Sequence, residues 1–436
     1  MTLTDGMFTD SACTICGCVC DDLRLRVQGN RIVQAERACQ LAESWFLAQE
    51  SRHPPVARIA GGTVSRAAAV EKAANILRTS RSPLIYGLSR SSTAGQRAAV
   101  RLADLIGATI DTTASRCHAP SIMALQQVGE STCSLGETKN RADLVVFWGS
   151  NPLVSHPRHF ERYSVDATGL FAPRGRRDRH VVVVDVKPTA TTALADTFLQ
   201  IAPGSDFDVI WTLRALLQNL PVLPAEAPLA ALQDLADRLK ACRYGIVFFG
   251  LGLTRHGVGH ANVEALLRLV SDLNRYTRFS ARRMRIPGDV AGADNVLCWQ
   301  TGFPFSVNLA RGYPRYNPGE YSANDLLERG EVDACLLVGS EGIGGLSAAA
   351  VERLRQLPLI VLDYPTVDCP LPPTVAFTTA VYGVHLPGTA YRMDEVPIPL
   401  RAVLTSDYPS DATVLREIAK RLTRNRLPSA TPSARG

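Results

Sequence analysis

Short apolar runs that alternate with helical patterns restrict this chain to a fold built on parallel β-sheets. The runs are nearly continuous in Val, Ile and Leu, and each ends in a glycine or a polar turn. Strands without a polar face are buried on both sides, which is typical of parallel sheets covered by helices. The expected strands are residues 83–87, 143–148, 181–185, 245–249, 334–338 and 358–363. The expected helices are residues 65–81, 94–105, 206–217, 230–241 and 262–274.

The length of the chain indicates more than one lobe. Single hydrophobic cores stop growing at about 250–300 residues, and this chain has 436. We therefore expect an α/β fold made of Rossmann-like parallel-sheet lobes. The expected divisions are a small N-terminal segment at 1–52, a first lobe at 53–220, a second lobe at 221–370, a segment returning to the α/β core at 371–426 and a disordered tail at 427–436.

Cysteines are concentrated near the N-terminus, where five of the eleven precede residue 40. Four of them form a C-x2-C-x3-C motif followed by a distant fourth residue: Cys13, Cys16, Cys20 and Cys39. This spacing favours a [4Fe–4S] cluster, with a structural zinc site as the alternative. Gly17 would let the loop turn back on itself, and the side chain of Cys18 is expected to point away. Five of the six later cysteines are isolated and are interpreted as small apolar core residues: Cys133, Cys242, Cys298, Cys335 and Cys369.

Polar and glycine residues follow three of the expected strands, where open parallel sheets bind ligands. The candidates for ligand binding are Gly149, Ser150, Asn151, Pro152, Asp185, Lys187, Gly204 and Asp206. Gly149 permits a close approach of the backbone, and an acidic residue such as Asp185 commonly reads a ribose or a guanine edge. Each loop taken alone is also compatible with an ordinary turn.

Taken together, these loops resemble the pterin-dinucleotide-binding signature of the molybdenum and tungsten oxidoreductases related to formate dehydrogenases. Three further stretches resemble the B subunit of formylmethanofuran dehydrogenase: WQTG at 299–302, RGYPRYNPGE at 311–320 and GTAYRMD at 388–394. The bacterial homologue of that subunit belongs to the formyltransferase/hydrolase complex of methylotrophs. The resemblance extends from about residue 13 to about residue 419.

The resemblance implies a fold of the molybdopterin oxidoreductase type with a small iron–sulfur segment at 1–52. It implies two cofactors, a [4Fe–4S] cluster and a molybdopterin or tungstopterin guanine dinucleotide. By the same resemblance, Cys117 ligates the metal, His118 relays a proton or contacts the substrate carboxyl group, and Arg285 holds formate or carbon dioxide. His156 and His159 follow the Gly149 loop and are either pterin neighbours or solvated histidines.

The implied function is that of the B subunit in a formylmethanofuran dehydrogenase-type complex of one-carbon metabolism, interconverting formate or carbon dioxide and formyl-methanofuran. The implied partners are a zinc hydrolase subunit and a subunit that supplies a further pterin-binding lobe. Two stretches depart from the family pattern: residues 286–289 lack a histidine and residues 340–342 lack an aspartate-proline turn. These departures support the alternative of a redox-inactive scaffold subunit in a bacterial formyltransferase/hydrolase complex, with the redox cofactors lost.

The charge distribution argues against nucleic acid as a partner. The formal net charge is +6, and the 47 basic residues include only five lysines. A nucleic-acid surface usually has clustered basic residues with interleaved aromatic side chains, and the densest cluster, 174–179, lacks them. The arginine excess is more typical of a GC-rich bacterial genome. The chain shows no signal-peptide pattern and no run of 18 apolar residues, so we expect a cytoplasmic protein without membrane contact.

Overall fold

Two large sheets with helices packed around them form most of the chain. The computed structural model describes residues 5–222, 228–255 and 258–424. Its strands are β1 (Gly6–Ser11), β2 (Leu23–Gln28), β3 (Arg31–Glu36), β4 (Ala57–Ile59), β5 (Gly62–Thr63), β6 (Pro83–Gly87), β7 (Thr109–Thr112), β8 (Leu144–Trp148), β9 (His180–Asp185), β10 (Thr197–Gln200), β11 (Tyr244–Phe249), β12 (Arg278–Arg283), β13 (Val307–Asn308), β14 (Arg315–Tyr316), β15 (Ala334–Val338), β16 (Leu359–Asp363), β17 (Val375–Thr378), β18 (Gly388–Tyr391) and β19 (Pro397–Leu400).

The helices cover both large sheets and connect their parallel strands. They are α1 (Gln40–Leu47), α2 (Arg66–Thr79), α3 (Thr93–Ile106), α4 (Ala114–Cys117), α5 (Ala119–Val128), α6 (Leu135–Arg141), α7 (Pro152–Ser155), α8 (His159–Arg162), α9 (Asp206–Leu217), α10 (Leu229–Ala241), α11 (Gly259–Leu273), α12 (Val290–Thr301), α13 (Ala323–Glu328), α14 (Ala348–Arg355) and α15 (Asp411–Arg424). Among the described residues, none of these helices is long and apolar enough to cross a membrane.

The prediction of an α/β fold with parallel sheets is confirmed. The five-stranded sheet has the order β10-β9-β8-β11-β12, and every neighbouring pair in it is parallel. The nine-stranded sheet has the order β14-β13-β7-β6-β15-β16-β17-β4-β5, with a parallel centre from β7 to β17 and antiparallel edges. All six strands expected from the apolar runs occur, and all of their central residues are buried.

The two sheets do not separate at the boundary expected near residue 220. In the five-stranded sheet β8, β9 and β10 precede that boundary, while β11 and β12 follow it. The nine-stranded sheet likewise takes β6 and β7 from one side and β15 and β16 from the other. The chain therefore passes between the sheets more than once, because neighbouring parallel strands need crossovers and not adjacency in sequence. The expected tail at 427–436 lies outside the described residues.

Local signals in the sequence fix the ends of the helices that flank the nine-stranded sheet. The Ser65 hydroxyl accepts a hydrogen bond from the Ala68 amide at 3.2 Å and so begins α2. Gly107 ends α3 in the left-handed conformation with φ of 67°, where a side chain would be strained. Both helices bury alanine-rich faces in the core of that sheet, and α15 packs against both.

The N-terminal segment forms a small antiparallel sheet of β1, β2 and β3. The alternation of buried and exposed residues in β2 leaves one face of this sheet apolar. The loop between β1 and β2 carries four of the cysteines and is closed by a hydrogen bond from the Cys13 amide to the Cys20 carbonyl at 2.8 Å. The three-stranded sheet therefore presents a cysteine loop to the rest of the chain.

Candidate functional site

Cys117 and Arg285 come from different sheets and meet between them. Cys117 ends α4, which follows the carboxyl end of β7 in the nine-stranded sheet, and Arg285 follows the carboxyl end of β12 in the five-stranded sheet. Asp294 accepts hydrogen bonds from both Arg285 and Thr112 and so joins the two segments. We call Cys117, His118, Arg285, Asp294 and Glu395 the Cys117–Arg285 cleft. Carboxyl ends of parallel strands are the usual location of functional groups in such folds.

A buried ion pair fixes the Arg285 side chain in this cleft. Its guanidinium donates to Asp294 on α12, and a second nitrogen lies 3.6 Å from the Glu395 carboxylate. Arg285 is 2% exposed and Asp294 is 5% exposed. Asp294 also accepts a hydrogen bond from the Thr112 hydroxyl at 2.8 Å, so α12 connects the Arg285 segment to the end of β7. Burial raises the Asp294 pKa to about 6, although Arg285 opposes this.

The environment of the Cys117 thiol favours its neutral form in the absence of a ligand. Burial raises its pKa to about 12, the Arg285 charge lowers the pKa, and the Asp294 charge raises it. The thiol donates to the Thr113 carbonyl oxygen at 3.3 Å. A positive centre at the sulfur would release this proton, because thiolates and not thiols bind metals.

Several buried polar atoms in and around the cleft have no hydrogen-bond partner within the described residues. They are Nε2 of His118 and Nε of Arg282, Arg283 and Arg285. Burial, followed by the charges of Arg285 and Arg283, lowers the His118 pKa, so its imidazole is neutral. Protein interiors leave few such atoms unsatisfied. The cleft therefore offers unused hydrogen-bonding groups beside a soft thiol, which is a donor set that fits an anionic, metal-bearing ligand.

All five N-terminal cysteines line one small cavity. The Cys18 thiol hydrogen-bonds to Cys16 and Cys20, and these bonds lower the pKa of both neighbours. The expectation that Cys18 points away is therefore wrong. Arg90 further favours the Cys16 thiolate, and Arg162 favours the Cys20 thiolate.

The donor set of this cavity suits a metal cluster, since soft thiolates are the usual ligands of iron–sulfur groups. Within the described residues, no three His, Cys, Asp or Glu side chains already form a site for a single metal ion. The fit of a cluster to this cavity therefore rests on the number and chemistry of the thiols that surround it.

The cysteine loop packs directly against the Arg285 backbone. The Gly17 amide donates to the Arg285 carbonyl oxygen at 2.9 Å. A Cβ atom at residue 17 would overlap that same oxygen. Gly17 lies in the turn that the sequence suggested, which the Val19 amide closes by donating to the Cys16 carbonyl at 3.1 Å. It is needed for this close approach as well. The His156 Nε2 also lies 2.9 Å from the Arg285 carbonyl oxygen, so one backbone group joins the cysteine loop, the cleft and α7.

The strand-end loops are residues 149–152, 185–187 and 204–206, which follow β8, β9 and β10 in one sheet. Gly149 has φ of 53°, and a Cβ atom there would lie 2.8 Å from the Leu253 amide nitrogen. The backbone that approaches Gly149 closely therefore belongs to the loop after β11. The fold itself therefore requires a residue without a side chain at this position.

The other polar side chains of the first strand-end loop are mostly bonded internally. The Ser150 hydroxyl donates to the Phe248 carbonyl at 3.5 Å. The Asn151 side-chain oxygen accepts from the Thr191 hydroxyl at 2.7 Å, which ties the loops after β8 and β9 together. Pro152 is buried at the first turn of α7, a position that suits its fixed φ.

The last strand-end loop is held by a buried hydrogen bond. Asp206 begins α9 and accepts from the Trp148 indole nitrogen at 2.7 Å. The Asp206 carboxylate therefore has a hydrogen bond within the fold. It also lies at the start of α9, where negative charge is favourable.

Three members of the strand-end loops are open to a ligand. The Lys187 side chain is exposed, and a Cβ atom at Gly204 would meet open space. Asp185 is partly exposed at the end of β9, with one oxygen accepting from the Val186 amide at 2.7 Å. The strand-end loops thus bring the predicted residues to one edge of the sheet, but leave few of their polar groups unused.

His156 and His159 are buried, so the interpretation as solvated loop histidines is wrong. Burial lowers the pKa of His156 to about 4 and that of His159 to about 3. The His159 ring packs edge-on against Phe248 at 4.5 Å between centroids, and its Nδ1 lies 2.9 Å from the Ser164 hydroxyl. Both imidazoles are neutral parts of the packing beneath the first strand-end loop.

Asp294 and Glu395, which hold Arg285, are not among the site residues predicted from the sequence. Asp294 lies in the apolar stretch Val290–Thr301, and a lone carboxylate among apolar helix residues is a signal for a buried partner. Glu395 has φ of 65°, which no local pattern predicts. Among the isolated cysteines, Cys133 and Cys335 are buried as expected, whereas Cys298 is exposed on α12.

The chain has extensive similarity to one group of proteins. It is 40% identical over 423 residues to the B subunit of tungsten-containing formylmethanofuran dehydrogenase 2 from Methanocaldococcus jannaschii, covering 94% of this chain and 96% of that protein. No protein-family model matches the chain. An alignment of this length and identity shows common descent and a common fold.

Two solved structures share the fold. A chain of the formyltransferase/hydrolase complex from Methylorubrum extorquens, crystallised with methylofuran, superposes with a TM-score of 0.72 at 26% identity, covering 85% of this chain and 100% of that chain. Acetylene hydratase from Pelobacter acetylenicus superposes with a TM-score of 0.71 at 12% identity, covering 96% of this chain and 70% of that chain. The second likeness is one of fold alone.

Proposed function

This chain belongs to the family of formylmethanofuran dehydrogenase B subunits, and on that premise we propose that it interconverts carbon dioxide and formate within a formylmethanofuran dehydrogenase-type complex. Formate then condenses with methanofuran, with release of water, on a separate zinc-containing subunit. The proposal gives this chain the redox half of the overall reaction.

The observation that carries the proposal is the convergence of a thiol, a cation and unused hydrogen-bonding atoms in the Cys117–Arg285 cleft. Cys117 and Arg285 are 168 residues apart in the sequence, yet Asp294 connects their segments. Asp294 accepts hydrogen bonds from Arg285 and from Thr112, and Thr113, next to Thr112, accepts from the Cys117 thiol. His118 Nε2 and Arg285 Nε are buried there without partners among the described residues. A purely structural site would satisfy these groups, so their chemistry supports a ligand that satisfies them.

Cys117 would hold the molybdenum or tungsten of a pterin cofactor through its thiolate, and the bound group would supply two-electron oxidation and reduction of the one-carbon substrate. Arg285 is positioned to hold formate through its Nε–H, which has no partner among the described residues, since a hydrogen bond between a guanidinium and a carboxylate is charge-assisted. Asp294 and Glu395 orient that guanidinium by occupying its other nitrogens. His118 is neutral at Nε2 and can accept or hold a proton there.

The N-terminal cavity would hold a [4Fe–4S] cluster through the thiolates of Cys13, Cys16, Cys20 and Cys39, with Cys18 beside them. The cluster would supply one-electron transfer. The cysteine loop bonds to the Arg285 backbone through Gly17, which supports a direct connection between the two cofactor sites. The strand-end loops, and Lys187 in particular, are proposed to hold the dinucleotide part of the pterin cofactor.

The proposal implies that this protein is part of a hetero-oligomer. The solved relative belongs to a complex of formyltransferase and hydrolase, and the Methanocaldococcus relative is named as one subunit of its enzyme. We propose that partner subunits supply the zinc centre and a further pterin-binding lobe.

The second candidate is a scaffold subunit without redox chemistry in a formyltransferase/hydrolase complex. Full coverage of the bacterial chain at a TM-score of 0.72 favours it. Identity of 40% to a tungsten-containing relative and the intact Cys117–Arg285 cleft favour the redox function over it.

Metal analysis of the anaerobically purified complex tests the proposal. We expect about four irons and one molybdenum or tungsten for each copy of this chain, together with formate-dependent reduction of a viologen dye. Cys117→Ser should abolish that activity and the molybdenum or tungsten content while leaving the iron. Cys242→Ser, which changes a partly buried thiol at the end of α10, is the matched control and should alter neither. A complex that lacks both metals but hydrolyses formyl-methanofuran would establish the scaffold function instead.

A further inference from the structure

A basic groove of about 850 Å³ lies between α3 and α15, away from the residues assigned above. The charged residues that line it are Arg97, Arg101, Asp104, Arg416 and Lys420. Four of these five side chains are cationic, and all five are exposed. The groove therefore carries a concentrated positive charge.

The four cations of the groove have no ion-pair partner among the described residues. On the opposite side of α15, charged side chains pair with those of α2: Glu417 of α15 lies 3.2 Å from Arg66 of α2, and Arg421 of α15 pairs with Glu71 of α2. Helix α15 thus has a charge-balanced side facing α2 and an unbalanced side facing the groove. Clustered like charges raise the free energy of a surface until an opposite charge is supplied.

The groove is lined between its cations by small apolar side chains. Ala94, Ala98 and Ala419 contribute to its lining. Small residues allow the backbone of a second chain to approach the helices closely, while cations on both sides can contact acidic side chains. This arrangement fits a peptide segment better than a compact ion.

We infer that the α3–α15 groove binds an acidic segment of a partner subunit. The inference rests on the proposed function, in which this chain is a subunit of a complex. Charge complementarity identifies the occupant as a segment rich in Asp and Glu, and such contacts determine partner choice and orientation more than raw affinity.

The C-terminal residues of this chain do not have the required charge. Residues 425–436 contain two arginines and no aspartate or glutamate. They would add positive charge to a groove that already has an excess of it. The occupant is therefore assigned to a partner chain.

The scarcity of lysine makes this inference directly testable. Lys420 lies in the groove, and Lys72 lies on the neighbouring α2 with an exposed side chain. In the purified complex, acylation of Lys420 should be at least about fivefold slower than in the isolated chain, while Lys72 should react equally in both. Carbodiimide treatment should couple Lys420 to an Asp or Glu of one partner segment, which mass spectrometry of the crosslinked peptides identifies.

Charge reversal provides the second arm of the test. Arg101→Glu/Lys420→Glu should weaken retention of the partner subunit by about tenfold or more at moderate salt. Lys72→Glu/Arg78→Glu changes the net charge equally on the adjacent helix and should change retention by less than about twofold. Both double variants alter exposed side chains, so both are expected to fold.

The outcomes separate this inference from the proposed function. A redox-active complex in which Lys420 reacts as fast as in the free chain would overturn the inference and leave the function intact. Protection of Lys420 that nuclease treatment removes would identify RNA as the occupant and also overturn it. A chain that purifies without any partner subunit would contradict both.

Discussion

The Cys117–Arg285 cleft and the strand-end loops lie at carboxyl ends of strands, but they use their polar groups in opposite ways. In the cleft, buried atoms such as His118 Nε2 and Arg285 Nε lack partners among the described residues. In the strand-end loops, Asn151 and Asp206 accept hydrogen bonds from Thr191 and Trp148 at 2.7 Å. The cleft therefore contains buried hydrogen-bonding groups without partners among the described residues, whereas Asn151 and Asp206 of the strand-end loops are bonded within the fold.

This difference predicts which substitutions should affect function and which should affect folding. Polar groups that a fold leaves unsatisfied persist when a ligand satisfies them. Polar groups that the fold itself uses contribute to stability whether or not a ligand binds. We therefore expect changes in the cleft to separate activity from stability, and changes in the strand-end loops to affect stability first.

The largest effect is expected from removal of the buried cation in the cleft. Arg285→Met should lower the free energy of unfolding by about 3–5 kcal/mol, because it leaves the Asp294 carboxylate buried without its partner. Arg285→Met/Asp294→Asn removes both charges and retains an acceptor for Thr112, so most of that stability should return. Denaturant unfolding of the anaerobic protein measures both values.

Activity gives the second readout of this pair. Neither variant should oxidise formate, because the double variant restores stability without restoring the guanidinium. Recovery of activity in the double variant would mean that Arg285 serves only the fold, and the contrast between the cleft and the strand-end loops would disappear.

Gly149→Ala tests the strand-end loops and should have the next largest effect. The new Cβ atom would occupy a left-handed conformation and lie 2.8 Å from the Leu253 amide nitrogen. Left-handed strain and steric overlap together should lower the free energy of unfolding by about 2–4 kcal/mol. Gly204→Ala is the control, since Gly204 is also left-handed but its Cβ position is open, and it should cost about 1 kcal/mol. Equal losses would show that packing between the two loops is unimportant.

The sequence predicted the strands of this fold more accurately than their arrangement. The apolar runs at Pro83–Gly87 and Ala334–Val338 match β6 and β15 at both ends. These strands are adjacent and parallel although about 250 residues separate them. Pairing over such a distance leaves no local signal, so the alternation of the chain between two sheets could not be predicted from its pattern of apolar residues.

The candidate site was predicted in part for a similar reason. The resemblance pointed to Cys117 and Arg285, and Asp294 joins the segments that carry them. Asp294 and Glu395 were missed because a carboxylate is recognised as part of a site only through the cation it contacts. Gly17 was noted, but for a turn; its contact with the Arg285 carbonyl is a tertiary feature that spacing cannot show.

The pH dependence of stability should also come from the region beneath the strand-end loops. Burial lowers the His159 pKa from 6.5 to about 3 in the folded chain. Below pH 6.5 the unfolded state takes up a proton that the folded state does not, so stability should fall as the pH falls towards 3. Between pH 6.5 and pH 5 this amounts to about 2 kcal/mol. His159→Phe should flatten the dependence by that amount in denaturant unfolding at the two pH values; an unchanged slope would mean that His159 is protonated in the folded state.

Lys187→Ala should have the smallest effect, and it tests an exposed residue of the strand-end loops. Its side chain is exposed, so the free energy of unfolding should change by less than about 0.5 kcal/mol. If Lys187 contacts a phosphate of the dinucleotide, the variant should bind the cofactor about two- to fivefold more weakly, as expected for one exposed charge pair. Lys139→Ala removes an exposed lysine from α6 and should change neither quantity. The measurements are guanine content after gel filtration and the free energy of unfolding. Loss of stability without loss of cofactor would show that Lys187 contributes to the fold and not to cofactor binding.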